Sequence, residues 1–404
     1  MKRITTLQIF FVLVVALLLA GCMPDRSVTI GVVLNDTTIT PAVATSIRNG
    51  IDLGVEAVQA DPDQNYTLNL DIRGAGGDAG AVAQSLYSAG AIGVVGGISS
   101  EDALAIAEVA DRVGRVFITP TALSDELSRI SRTFFRISLT NLQEASAMAN
   151  FATETLDVND LVIINASDRV FTGSLLDAVS TVFGQYGGNV TATVEFSSDD
   201  DPAAVAEKAL GYAPSGIFIA AYNPQIVGLL KALRERGYGL TEGKKEWVMT
   251  TSVFTHPDVI AQAGPAANAV YLTMSAFDTA AETSPMAEFV AAYKAKFGSE
   301  PDVWAGHGYD SMLLVGAALK ASSSSLAQEF LKGMRAMDPL TGVTGNIQFD
   351  EEGNVQKFAR IHMIRDGALV DYRVWREGRE EELKERIRKI QRESERLNLQ
   401  GNGG

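Results

Sequence analysis

Two neighbouring stretches decide how this chain is read: Ala91-Ile92-Gly93-Val94-Val95-Gly96-Gly97-Ile98-Ser99-Ser100-Glu101-Asp102 and Val116-Phe117-Ile118-Thr119-Pro120-Thr121-Ala122-Leu123-Ser124-Asp125-Glu126-Leu127. Each opens with a short apolar run, Ala91 to Val95 and Val116 to Thr119, and then passes into small and hydroxyl-bearing residues. The first leads into a helix, so backbone N–H groups and serine hydroxyls converge where that helix starts. Such a place suits a carboxylate or another polar or anionic group. Ser99 or Ser100 also reads as a plain N-cap, because serine followed by acidic residues is a capping signature, and the two roles are compatible. In doubly wound sheets ligands sit beyond the carboxyl ends of strands, where both clusters fall.

The same rhythm continues in both directions. Runs from Val28 to Leu34, Leu68 to Ile72, Leu161 to Asn165, Val190 to Phe196, Gly216 to Ala221, Trp247 to Thr251 and Val270 to Met274 start about 20 to 40 residues apart, the spacing of βαβ units. Most are continuously apolar, as in a parallel sheet covered on both faces. Helical stretches such as Thr40 to Gln59 and Asn223 to Arg236 lie between them, with apolar positions three and four apart. The expected fold class is α/β, doubly wound. Val190 to Phe196 alternates strictly instead, which predicts one solvated face. So many strands exceed one core, so two lobes are expected. No linker rich in Pro, Gly or Ser separates them; Phe135 to Thr140, Tyr271 to Phe277 and Gly342 to Ile347 are the candidate crossings.

The two ends of the chain read differently. Lys2 and Arg3 precede an apolar run from Ile9 to Ala20, too short to span a bilayer and fitting the core of a secretory signal. It ends in Leu19-Ala20-Gly21-Cys22, which resembles the lipobox of bacterial lipoproteins, whose cysteine is lipidated and becomes the first mature residue. The expectation is a signal peptide over 1–21 and an extracytoplasmic body anchored to a bacterial membrane through lipidated Cys22. At the other end, Glu377 to Arg396 is dominated by charge, yet Leu383, Ile387, Ile390, Ser394 and Leu397 fall four and three apart. A solvated terminal helix laid on the body is favoured over a short coiled coil, since two heptads are marginal alone. Asn398 to Gly404 is expected to be disordered.

Composition removes several functions. With 34 Lys and Arg against 49 Asp and Glu, the net charge of −15 argues against a nucleic-acid partner. One cysteine excludes an intrachain disulfide and a cysteine-based zinc site. His256, His307 and His362 have no metal-ligand spacing, and no GxSxG or phosphate-loop motif is present. Gly74-Ala75-Gly76-Gly77-Asp78-Ala79 matches a dinucleotide pattern but follows the second strand, so a plain loop is expected. Neither a metal, a cofactor nor an enzymatic activity is predicted.

Taken together, Ala91 to Leu104, Val116 to Leu127, Phe135-Arg136, Gly308-Tyr309-Asp310-Ser311 and Leu340 to Gly353 resemble the Leu/Ile/Val-binding family of type I periplasmic binding proteins. The resemblance spans roughly Val28 to Arg373. It implies two Rossmann-like lobes joined by three crossings, closing like a hinged trap over a ligand. Residues 27–138 with 276–341 would form lobe 1, 139–275 with 342–375 lobe 2, and 376–404 a charged helix and tail. The implied function is ligand delivery to an ABC transporter permease. By the same resemblance the ligand-binding residues are Ser99, Ser100 and Thr121, with Leu123 where the family has a further hydroxyl. Phe171 and Tyr222 stand at aromatic positions, either as ligand walls or as core. Where amino-acid-binding members place an acidic partner for the ammonium, Met249-Thr250-Thr251-Ser252 offers no carboxylate. A buried ammonium without an anionic partner is costly, so Leu123 and Thr251 weaken the case for a zwitterion. The ligand class stays open among branched-chain amino acids, amides and carboxylic acids. A sensory or scaffold protein of the same fold, acting through a membrane partner, is the alternative.

Overall fold

The computed structural model describes residues 26–34, 40–167, 169–240 and 244–401. The signal segment and Cys22 lie outside them. Strands and helices alternate from the start: β1 (Ser27–Leu34), α1 (Pro41–Ala60), β2 (Thr67–Gly74), α2 (Ala79–Ser88), β3 (Gly93–Gly96), α3 (Ser100–Val113), β4 (Val116–Thr119) and β5 (Phe134–Arg136). These strands form a parallel sheet in the order β2-β1-β3-β4-β5. Ile30, Val32, Val94, Val95 and Phe117 are fully buried in it, as runs covered on both faces require.

The chain then crosses over and builds a second body from α4 (Asn141–Glu154), β6 (Asp160–Ala166), α5 (Val170–Gln185), β7 (Asn189–Phe196), α6 (Pro202–Leu210), β8 (Gly216–Ala220), α7 (Asn223–Glu235), β9 (Trp247–Thr250), α8 (Pro257–Ala263) and β10 (Val270–Met274). Thr140 and Gln143 fix the start of α4 with a reciprocal capping box. β7 is an edge strand whose Thr191, Thr193 and Glu195 face solvent, matching its alternation. After β10 come α9 (Met286–Phe297), α10 (Val303–Ala321) and α11 (Ala327–Ala336). The helix α10 lies so close to α1 that a Cβ on Gly50 would stand 1.9 Å from the Ala305 carbonyl oxygen. A Cβ on Gly308 would stand 2.3 Å from that of Ile47. Glycines on both helices therefore set the position of α10, whose first turn faces the second body.

Several expectations are corrected. Of the candidate crossings, Phe135-Arg136 belongs to β5 and Tyr271 to Met274 to β10, so only the residues after each strand leave the sheets, and Gly342 to Ile347 is a hairpin of β11 (Leu340–Gly342) and β12 (Gly345–Ile347). The return to the second sheet runs through the segment after it, where Asn354 bridges to Arg136. Two strands without a sequence signal in the apolar runs, β13 (Arg360–Arg365) and β14 (Ala368–Asp371), extend that sheet antiparallel to the order β14-β13-β10-β9-β8-β6-β7. Charged ends on β13 hide its apolar centre, while Asp366-Gly367, both at positive φ, make the two-residue hairpin turn that marks the pair. Finally, α12 (Tyr372–Gly401) touches the body through its first turn. There Tyr372 packs 4.8 Å from Phe151 and Trp375 stacks under Arg365. Beyond it Leu383, Ile387 and Ile390 are 58, 46 and 61% exposed, so the helix projects away instead of lying on the body, and it runs through Gly401.

Candidate functional site

The two sheets meet along a seam where the loops after β3, β4, β6 and β9 face one another. Ser99 caps α3, its hydroxyl accepting from Asp102 N at 3.2 Å. Ser100 Oγ accepts from Ser124 N at 3.2 Å, and Thr121 Oγ1 donates to the Ile98 carbonyl at 2.9 Å, so the two quoted stretches are tied to each other. Ser99 is thus an N-cap, and Ser100 braces the neighbouring turn.

Three polar contacts join the bodies across this seam. Glu101, one residue into α3, accepts from the Tyr222 hydroxyl at 2.9 Å and from Val170 N at 2.9 Å. Phe171 packs against Tyr222 with ring centroids 5.1 Å apart, and both are buried. Burial and the adjacent Glu101 hold the Tyr222 hydroxyl far above its ordinary pKa, so it remains a donor. A second contact runs from Asp125 N to Ser174 Oγ at 2.9 Å, with Asn141 Nδ2 donating to the same hydroxyl at 3.1 Å. The third is His256, which caps α8 by accepting from Asp258 N through Nδ1 at 3.1 Å. With Nδ1 accepting, Nε2 carries a hydrogen and lies 3.4 Å from Ser46 Oγ and from Asp302 Oδ2.

Between these contacts lies a narrow cavity of about 10 Å³, room for about one water. Thr121 and Leu123 reach it from the first sheet, Glu144 and Ser252 from the second, and Trp304 and His307 from the first turn of α10. Its walls are polar in a specific way. Glu144 is 1% exposed and accepts from Ser252 N at 3.1 Å, Ser252 Oγ at 2.5 Å and Thr273 Oγ1 at 2.9 Å. Burial pushes its carboxyl up to about 7 against the pull of those three donors. His307 Nε2 lies 3.3 Å from Ser275 Oγ, and burial with nearby Lys357 holds the ring down to about 3, hence neutral. Its Nδ1 has no partner, and neither has Trp304 Nε1. An orphaned buried polar atom costs about 1–3 kcal/mol; here one is the indole donor of Trp304 and the other the free ring nitrogen of His307.

Thus Thr121 and Leu123 line the cavity. Ser99, Ser100, Phe171 and Tyr222 stand on the neighbouring seam, and Thr251 is buried with an unpartnered hydroxyl. Sequence reasoning missed Glu144, Trp304 and His307, which come from helices remote in sequence. It also passed over Glu101, although that residue lies inside the first quoted stretch.

The comparisons agree with this architecture. A leucine binding protein from Thermotoga maritima superposes with a TM-score of 0.77 at 22% identity, covering 85% of this chain and 99% of that one. A solute binding protein from Rhodopseudomonas palustris in complex with benzoate gives 0.75 at 17% identity, over 86 and 95%. In sequence, a leucine-, isoleucine-, valine-, threonine- and alanine-binding protein of Pseudomonas aeruginosa is 23% identical over 283 residues, 69% of this chain and 72% of the relative. The family profile described as periplasmic binding protein matches residues 27–368, and with two sheets facing one polar seam the chain belongs to the periplasmic binding protein family.

Proposed function

We propose that the protein is the extracytoplasmic receptor of an ABC importer, held at a membrane by lipidated Cys22, which captures a small polar organic ligand between its two bodies and hands it to a permease. The cavity carries this reading. It draws walls from both sheets and holds two buried polar atoms, Trp304 Nε1 and His307 Nδ1, without partners among the described residues. A ligand admitted there when the bodies part touches both at once and so favours the closed arrangement by its differential affinity for that state. Ser100, Thr121, Leu123, Phe171, Tyr222 and Thr251 are proposed as the surrounding shell. The relatives' names add support, since they bind branched-chain amino acids in some cases and an aromatic acid in another.

A thermal-shift screen of the chain from Met23 onward against amino acids, amides, carboxylic acids, nucleosides and sugars tests the reading. A ligand at 100 times its Kd adds about 2.7 kcal/mol to the native state. Stabilisation by one chemical class is the expected result; no stabilisation by any compound in these classes counts against a transport receptor. A second reading, signalling or assembly through a membrane partner, is favoured by one observation, the projecting α12 with its exposed Leu383, Ile387 and Ile390. Removing 377–404 separates the two: a receptor keeps its ligand affinity and its transport.

A further inference from the structure

We infer that Glu144 is the counter-ion for a cationic amine in the ligand, supplied from α4 in place of the carboxylate that the Met249–Ser252 turn lacks. The inference rests on the receptor reading above and narrows its ligand class.

The turn after β9 carries no acid, which made an ammonium look unprovided for. The fold brings one to the same place by another route. Glu144 sits in the first turn of α4 and reaches Ser252, 108 residues later, through both the amide and the hydroxyl of that residue. Thr273 of β10, 129 residues away, holds the second oxygen. Three donors fix the carboxylate against the cavity wall, yet among the described residues no cation contacts it. This is unusual for a buried acid, because ionised carboxylates are taken out of water only when paired or coordinated. Desolvation accordingly leaves the group titrating near 7, half committed to each form.

Among the described residues nothing else lining the cavity supplies positive charge. His307, on the opposite wall, is neutral across this range. Lys357 is spent on the Ile137 carbonyl and Thr344 Oγ1 beside buried Asp310. The other neighbours of Glu144, Ser252, Thr273 and Asn141, do not titrate. A ligand ammonium completes the ion pair, while Trp304 Nε1 offers a donor to an accepting group elsewhere on the same molecule. The predicted class is therefore a small amine that also carries a carbonyl or carboxylate.

Linkage supplies the signature. An ammonium stabilises the ionised form of Glu144, so binding near pH 7 expels a proton. Below pH 7 the acid must first be deprotonated, and affinity falls by up to tenfold per pH unit. Calorimetric titration of the wild type and of Glu144→Gln tests this, using the standard amino acids and the matching acids without the amino group as probes. Each is run at pH 5, 6 and 7, and in two buffers of different ionisation enthalpy. The expected result is binding of amino-bearing probes with proton release, weaker at pH 5 than at 7. Glu144→Gln should bind them at least 10-fold more weakly, with a flat pH profile. At pH 5, where Glu144 is protonated, the two proteins should melt alike, which controls for folding. Equal affinity and equal pH dependence in the variant, or binding of the deaminated acids alone, overturns the role of Glu144 and leaves the receptor reading standing. Failure of every probe, together with an empty thermal-shift screen, removes both.

Discussion

Arg136 and Glu144 stand eight positions apart at the two ends of one crossing, both fully inside the protein, and their surroundings are opposite. Arg136, 0% exposed, donates to the carbonyls of Ala122 and Ser124, to Ser128 Oγ and twice to Asn354 Oδ1. Asp125, Asp350 and Glu352 surround it with negative charge, although burial still draws it down to about 10. The guanidinium makes five hydrogen bonds within the fold. Glu144 is held by three neutral donors, has no cation among the described residues and lines the narrow gap between the bodies. A buried charge that the fold needs is saturated by the fold, whereas one kept for a ligand is oriented but left without its counter-charge.

The largest effect should come from the saturated member. Arg136→Ala removes one partner of a buried network and is expected to cost about 3–5 kcal/mol in chemical denaturation, with ligand affinity per folded molecule unchanged. A loss below about 1 kcal/mol breaks the contrast. The open member should act through pH instead. A Glu144 carboxyl raised above its unfolded value contributes stability fully present below about pH 4.5 and lost as pH rises through about 7. The wild type should therefore gain about 2–3 kcal/mol over Glu144→Gln in going from pH 8 to pH 5. His307 opposes it: its pKa lies below the unfolded value, so its contribution is full above about 6.5 and falls as pH drops toward 3.

Next in size is the latch that closes over both. Glu101→Ala leaves the Tyr222 hydroxyl and Val170 N without their acceptor and should weaken ligand binding by about 1–2 kcal/mol through faster release, seen in stopped-flow dissociation. An unchanged release rate would mean that the contact does not help to hold the two bodies together. The smallest effect belongs to α12. Deleting 377–404 should shift unfolding by no more than about 0.5 kcal/mol, because beyond its first turn the helix buries nothing among the described residues.

Most parallel strands were legible because strands buried on two faces write themselves as local apolar runs, whereas the three-residue β5, Phe134–Arg136, is too short to do so. Gly93–Gly96, Val116–Thr119 and Gly216–Ala220 could be found from a few residues each. The hairpin β13–β14 was not, since its flanking arginines interrupt the run and its turn signal, Asp366-Gly367, was not weighed. Leu383 and its companions illustrate the opposite failure: the seam was visible, but whether it rests on the body depends on where the helix points.

What the sequence determined by itself was the set of local choices: which runs are strands, which turns are rich in hydroxyls, and that Met249–Ser252 has no acid. Only the tertiary structure decided which remote side chains meet. Glu144 reaches Ser252 and Thr273, and His307 faces the same cavity, because the crossing after β5 and the glycine-tight packing of α10 on α1 bring them there. Secondary structure follows from neighbours in sequence, but the charge balance of a buried site follows from neighbours in space.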